Sequence, residues 1–120
     1  MLPKQNRLKA RQDFTTVYQK GIRLNRFALG LRAYQHLVQP QALQPLRVGI
    51  SISTKVSKRA VVRNRIKRQL RSILRQLLPS LENGWDVVIV VYPNALGCDY
   101  PEFLQQLKQL LAQTEILHGD

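Results

Sequence analysis

A stripe of aliphatic residues, Val62, Ile66, Leu70, Ile73 and Leu77, gives the chain its clearest pattern. At about 100° per residue these side chains fall on one narrow face, which predicts a helix from roughly Arg59 to Leu78, stopped at Pro79. Ahead of it, Val48, Ile50 and Ile52 alternate with Arg47, Gly49, Ser51 and Ser53, the period of a strand with one buried face. After it, Glu82-Asn83-Gly84 predicts a turn into a strand from Trp85 to Tyr92. The centre of that strand, Val87 to Val91, is apolar at every position, which predicts burial on both faces.

The ends of the chain follow the same logic. Phe14, Val17 and Tyr18 have helical spacing, with Gly21 placed to end a short first helix. From Ile22 to Tyr34 the mixture of polar and apolar residues reads as strands, with Phe27, Leu29 and Leu31 alternating, and a loop holding Pro40 and Pro45 comes next. A last helix opens at Asp99, with Glu102 at capping-box spacing, and buries Phe103, Leu104, Leu107, Leu110 and Leu111. The order helix, strands, helix, strand, helix predicts an α+β or mixed α/β fold, with helices packed on one small sheet. With 120 residues there is room for a single domain, and residues 1–10, containing Lys4, Arg7 and Lys9, read as a basic, poorly ordered arm.

Composition alters this picture through charge alone. A hydrophobic content of 44% is ordinary for a folded chain. A net charge of +12 is extreme at this length and favours association with a polyanion. No acidic residue stands between Asp13 and Glu82, while most of the Lys and Arg, from Lys20 to Arg75, lie in that stretch. A merely soluble surface would intersperse both signs. There is no apolar run long enough to span a membrane, and the polar, basic start does not resemble a secretory signal. The single Cys98 cannot form an internal disulfide, which suits a cytoplasmic location.

The charge concentrates on the predicted central helix, opposite its aliphatic stripe. Arg63, Lys67, Arg71 and Arg75 follow one another at i, i+4, flanked by Arg65 and Arg68, with Asn64 in the middle of the arc. Like-charge neighbours at these spacings cost together on the order of 1–2 kcal/mol without a counterion. Lys58 and Arg59 add to the strain, because cations at a helix start oppose its macrodipole, and a bound phosphate would offset both effects. A solvated basic face and a membrane-surface helix are the competing readings. The narrow stripe between two strong strand signals favours a helix docked on a core. Intrinsic nuclease chemistry would need clustered carboxylates or a positioned histidine. The sparse acidic residues form no evident cluster, and neither His36 nor His118 has a partner that the sequence reveals. A structural RNA-binding role, as in a ribosomal component, stays open on charge alone.

The run Arg47-Val48-Gly49-Ile50-Ser51-Ile52-Ser53-Thr54-Lys55, followed by Ala60-Val61-Val62-Arg63-Asn64-Arg65-Ile66-Lys67-Arg68-Gln69-Leu70-Arg71, closely resembles the signature of the bacterial ribonuclease P protein component. Asn6-Arg7-Leu8-Lys9, Asp13-Phe14, Val17-Tyr18 and Gly21 are similar to that family's opening, so the likeness covers nearly the whole chain. The resemblance implies a small α/β sandwich with a mixed, mainly antiparallel sheet of about four strands and an unusual left-handed β-α-β crossover. It implies partnership with a catalytic RNA that removes the 5′ leader of precursor tRNA, without an obligate protein partner. Catalysis and most Mg²⁺ binding would belong to the RNA, leaving no catalytic or metal-binding residue in this chain. Carried over by position, Lys55, Lys58, Arg59, Arg63, Asn64, Arg65, Lys67, Arg68 and Arg71 would contact RNA, while Arg11, Phe14, Tyr18 and Phe27 would border the leader cleft. Phe14, Val17 and Tyr18 would suit an ordinary core helix equally well. One departure is Gly30, where several relatives place an aromatic residue.

Overall fold

In the computed structural model, which describes residues 2–36 and 44–118, the apolar run ending at Val91 lies inside a four-stranded sheet. The strands are β1 (Ile22–Asn25), β2 (Leu29–Gln35), β3 (Arg47–Ile52) and β4 (Trp85–Val91), in the order β1-β2-β4-β3. β4 pairs antiparallel with β2 and parallel with β3, so it has no free edge. Alternate residues of β4 enter two cores, Val87, Ile89 and Val91 on one face and Val88 and Val90 on the other, which explains its unbroken apolar sequence.

Parallel neighbours need a crossover, and α2 (Ala60–Leu77) supplies it between β3 and β4. Its stripe packs into the larger core with α3 (Tyr100–Gln113), and Leu74 joins the buried row as well. A short 3₁₀ turn, Leu78–Ser80, carries the chain out of α2 at Pro79. Gly84 enters β4 with φ 88°, a conformation open to glycine at little cost. α3 begins with the expected capping box: Asp99 Oδ1 accepts from the Glu102 amide at 3.0 Å, and Glu102 Oε1 from the Asp99 amide at 3.1 Å. α1 (Arg11–Lys20) covers the opposite face of the sheet, where Val17 is fully buried beside Leu8 and Val88. The molecule is therefore layered, with α1 on one side of the sheet and α2 and α3 on the other.

Three expectations are corrected. Residues 2–10 are not a loose arm, because Leu2 enters the large core, Leu8 the small one, and the Leu8 amide donates to the Val48 carbonyl on the edge strand β3. Buried Asn6 also donates through Nδ2 to the Leu46 carbonyl at 2.7 Å. Phe27 belongs to neither strand; it lies in the β1–β2 turn, 68% exposed. His36, just beyond β2, has a partner, described below. Pro40 lies outside the described residues, whereas Pro45 precedes β3.

Candidate RNA-binding surface

The outer side of α2 carries the charge that the sequence placed there. Asn64, Arg65 and Arg68 are exposed, Arg63, Lys67 and Arg71 half-buried, and Lys55, Lys58 and Arg59 exposed in the approach to the helix. Among the described residues no carboxylate pairs with Lys55, Lys58, Arg59, Arg63, Arg65, Lys67, Arg68 or Arg71. Five of the seven acidic residues are engaged elsewhere: Asp13 and Asp86 with Arg47, Glu82 with His118, and Asp99 and Glu102 in the α3 cap. The start of α2 has Arg59 as N-cap, no side-chain cap and no acid in its first turn, so its free amides and positive dipole end add to the cationic field. Burial of Ile66, Leu70, Ile73 and Leu74, each worth roughly 1.5–3 kcal/mol, lets the helix tolerate this repulsion.

Arg63 differs from its neighbours. Its Nη1 donates to the Ser57 carbonyl at 2.8 Å, tying the helix to the loop before it. Arg63 therefore holds local structure as well as charge. Asn64, with Val61, Arg68 and Arg71, lines an open groove of about 530 Å³ along the outer face.

Arg71 also reaches a second groove, of about 320 Å³, at the β3 edge. Its other walls include Arg7, Lys9, Phe14 and Gly49, so the docked N-terminal segment adds two cations that sequence reasoning had left in a loose arm. Phe14 lies so close to Gly49 that any β-carbon there would collide with its ring. Phe14 is thus partly a core residue and partly the link between the α2 surface and α1. Arg11 is exposed at the start of α1, and Tyr18 is 38% exposed near its end. The Arg32 guanidinium carbon lies 4.8 Å from the centre of the Tyr18 ring, a cation–π contact. Phe27 stands apart from these three, beyond the far end of β1.

α1 is fixed over the sheet by a charged cluster. Arg47 donates to both oxygens of buried Asp86 and to Asp13 of α1 at 3.2 Å, while His36 Nε2 lies 2.9 Å from Asp86 Oδ2. Hydrogen bonding to Asp86 is the main cause that raises the Arg47 pKa above its ordinary value, so the guanidinium stays charged. The cluster is a clamp: Asp86 is buried and committed to Arg47, which leaves it poorly placed to receive a substrate proton. Long-range pairing of this kind leaves no mark in sequence spacing, which is why His36 had seemed unpartnered.

A layered α+β domain whose crossover helix carries a dense row of cations on its outer face defines the molecule as a basic protein built to hold a polyanion. The sequence matches the Ribonuclease P family model over residues 2–115. It is 60% identical to the ribonuclease P protein component of a Cyanothece species, covering 99% of both chains, and 50% identical to that of a Picosynechococcus species, covering 98% and 97%. The fold is similar to an RNase P protein from Staphylococcus aureus, with a TM-score of 0.83 at 23% identity over 95% of this chain and 92% of the other. It is also similar to the RNase P protein from Thermotoga maritima, with a TM-score of 0.76 at 23% identity over 89% and 96%. The chain belongs to the ribonuclease P protein family, the protein subunits of the ribonucleoprotein that processes the 5′ end of tRNA. It therefore works with an RNA subunit and a tRNA substrate.

Proposed function

We propose that α2 and the loop before it grip the catalytic RNA, and that the cleft between α1 and the sheet takes the 5′ leader of precursor tRNA. The observation that carries this reading is the row Arg63, Arg65, Lys67, Arg68 and Arg71 on α2, half-buried to exposed and without a carboxylate counterpart among the described residues. Arginine forks hold phosphate oxygens in pairs, and lysines add mobile point charges. Aromatic residues at the cleft, Phe14 and Tyr18 with Phe27 further along, can stack bases without reading sequence. The protein then raises the local concentration and order of substrate, and bond cleavage takes place on the RNA.

Mg²⁺, in this reading, is held mainly by the RNA, where it supplies the Lewis acidity and water activation of the cleavage. This chain's donors fit a metal poorly. No group of three His, Cys, Asp or Glu side chains close enough to hold an ion occurs among the described residues, and the buried Asp86 is already bidentate to Arg47. The site of action is the cytoplasm, where precursor tRNA is available. No helix of the described residues is long and apolar enough to cross a membrane.

Site-specific photo-crosslinking separates the two halves of the proposal. A crosslinker at position 65 or 68 is expected to label the RNA subunit, and one at position 18 the leader. Labelling of the leader from α2 and of the RNA subunit from α1 would reverse the assignment.

A further inference from the structure

Asp13 is the one acidic residue ahead of Glu82 in a chain with a net charge of +12. It stands in the first turn of α1, between Arg11 and Phe14, on the element proposed to border the leader. Its side chain is 32% exposed, so its charge is not hidden from a polyanion lying nearby and works against phosphate binding there. A first-turn acid suits the helix macrodipole. The dipole, however, asks only for charge near the helix start and not for a bond to the sheet.

Asp13 makes such a bond, and to a donor that cannot turn away. Arg47 gives Nε and Nη2 to buried Asp86, and His36 Nε2 lies 2.9 Å from the same carboxylate. The guanidinium is thereby fixed on the sheet, and its Nη1 meets Asp13 Oδ2 at 3.2 Å. The far end of α1 is set by other means. Gly21 lies so close to the carbonyls of Val17 and Ala33 that no β-carbon fits, and Arg32 of β2 lies against the Tyr18 ring. α1 is thus seated on β2 at its end and tied to β3 at its start, with Phe14 against Gly49 and Val17 beside Val88. Among the described residues, Asp13–Arg47 is the only ion pair between α1 and the sheet.

We infer that Asp13 is a positioning residue for recognition of the precursor. Through the fixed Arg47 guanidinium it sets where the first turn of α1, and with it Phe14 and Tyr18, stands over the sheet. The inference rests on the leader cleft proposed above and names the group that places its helical wall. The charge of Asp13 disfavours phosphate, whereas its contact with Arg47 favours the bound leader. Removal of the side chain therefore has opposite expected signs for the two effects.

The test is equilibrium binding of precursor and mature tRNA by the reconstituted holoenzyme, with affinity of the protein for the RNA subunit measured in parallel. Asp13→Ala raises the net charge by one, yet is expected to weaken precursor binding about threefold to tenfold, the range in which positions away from a ligand tune its affinity. Mature tRNA and the RNA subunit should bind as in the wild type. Asp13→Asn removes the charge but keeps an oxygen for Arg47 Nη1, and should retain the preference for precursor. Asp86 keeps both of its Arg47 bonds in each variant, and thermal unfolding checks that the fold is intact. Unchanged or tighter precursor binding by Asp13→Ala would overturn the positioning role. So would equal losses for the Asn and Ala variants, equal losses for precursor and mature tRNA, or a large drop in the melting temperature of Asp13→Ala. Absence of any preference for precursor in the wild type would overturn the leader cleft itself, and this inference with it.

Discussion

Arg47 on β3 donates two parallel hydrogen bonds to Asp86 on the neighbouring β4, from Nε to Oδ1 at 2.8 Å and from Nη2 to Oδ2 at 2.6 Å. The same guanidinium reaches Asp13, so a single side chain joins the edge strand, the central strand and α1. Half of the proposed leader cleft is therefore held in position by a charged contact far from the basic helix.

Removing that side chain should expose its structural role. Arg47→Ala leaves the Asp86 carboxylate buried without its guanidinium, and is expected to cost about 3 kcal/mol of unfolding free energy. Urea denaturation measures it. A loss below about 0.5 kcal/mol, the range of ordinary surface substitutions, would show that the contact does not clamp the fold.

Arg63 and Asn64 should separate, although they are neighbours at the centre of the motif. Asn64→Ala is expected to leave the melting temperature unchanged and to impair holoenzyme assembly or cleavage, since the side chain is exposed on the outer face. Arg63→Ala should also lower stability, by about 1 kcal/mol, through loss of the bond to the Ser57 carbonyl. Paired thermal unfolding and processing rates decide; equal melting temperatures for both variants would remove the structural role from Arg63.

The contrast between those residues shows how far the sequence could be read. The stripe on α2, the doubly buried β4 and the α3 capping box were legible because each is a local periodicity or spacing. The docking of Leu2, Asn6 and Leu8 was not, since isolated buried residues within a basic segment carry no period. Nor was the Arg47–Asp86–His36 cluster, because it depends on which strands lie side by side. The cations of α2 and its approach were readable as a charged arc; the docking of Arg7 and Lys9 beside Arg71, and the bond that sets Arg63 apart, required coordinates.

Affinity of the protein for its RNA subunit should fall steeply with salt, because each phosphate contact releases counterions. Arg65→Ala and Arg68→Ala are each expected to flatten the log–log slope by up to about one unit. An unchanged slope in the double variant would show that this helix does not lie on phosphates.

Cys98 offers a pH-dependent probe of the loop before α3. Burial, with a further contribution from Glu102, raises its thiol pKa above the ordinary value. Below the unfolded value the thiol is neutral in both states and has no effect on stability. As pH rises through that value the unfolded chain ionises first, so stability declines. Alkylation of the folded protein, followed against pH, should have its midpoint above that of the denatured protein; a midpoint below it would contradict the burial.

The most direct test of the account is precursor tRNA cleavage at low Mg²⁺ by the protein alone, by the RNA subunit alone, and by the two together. The prediction is no cleavage by the protein alone, weak cleavage by the RNA, and a large gain on combining them that shrinks as Mg²⁺ is raised. Metal-dependent cleavage at the mature 5′ end by RNA-free protein, or a gain that does not depend on Mg²⁺, would contradict it.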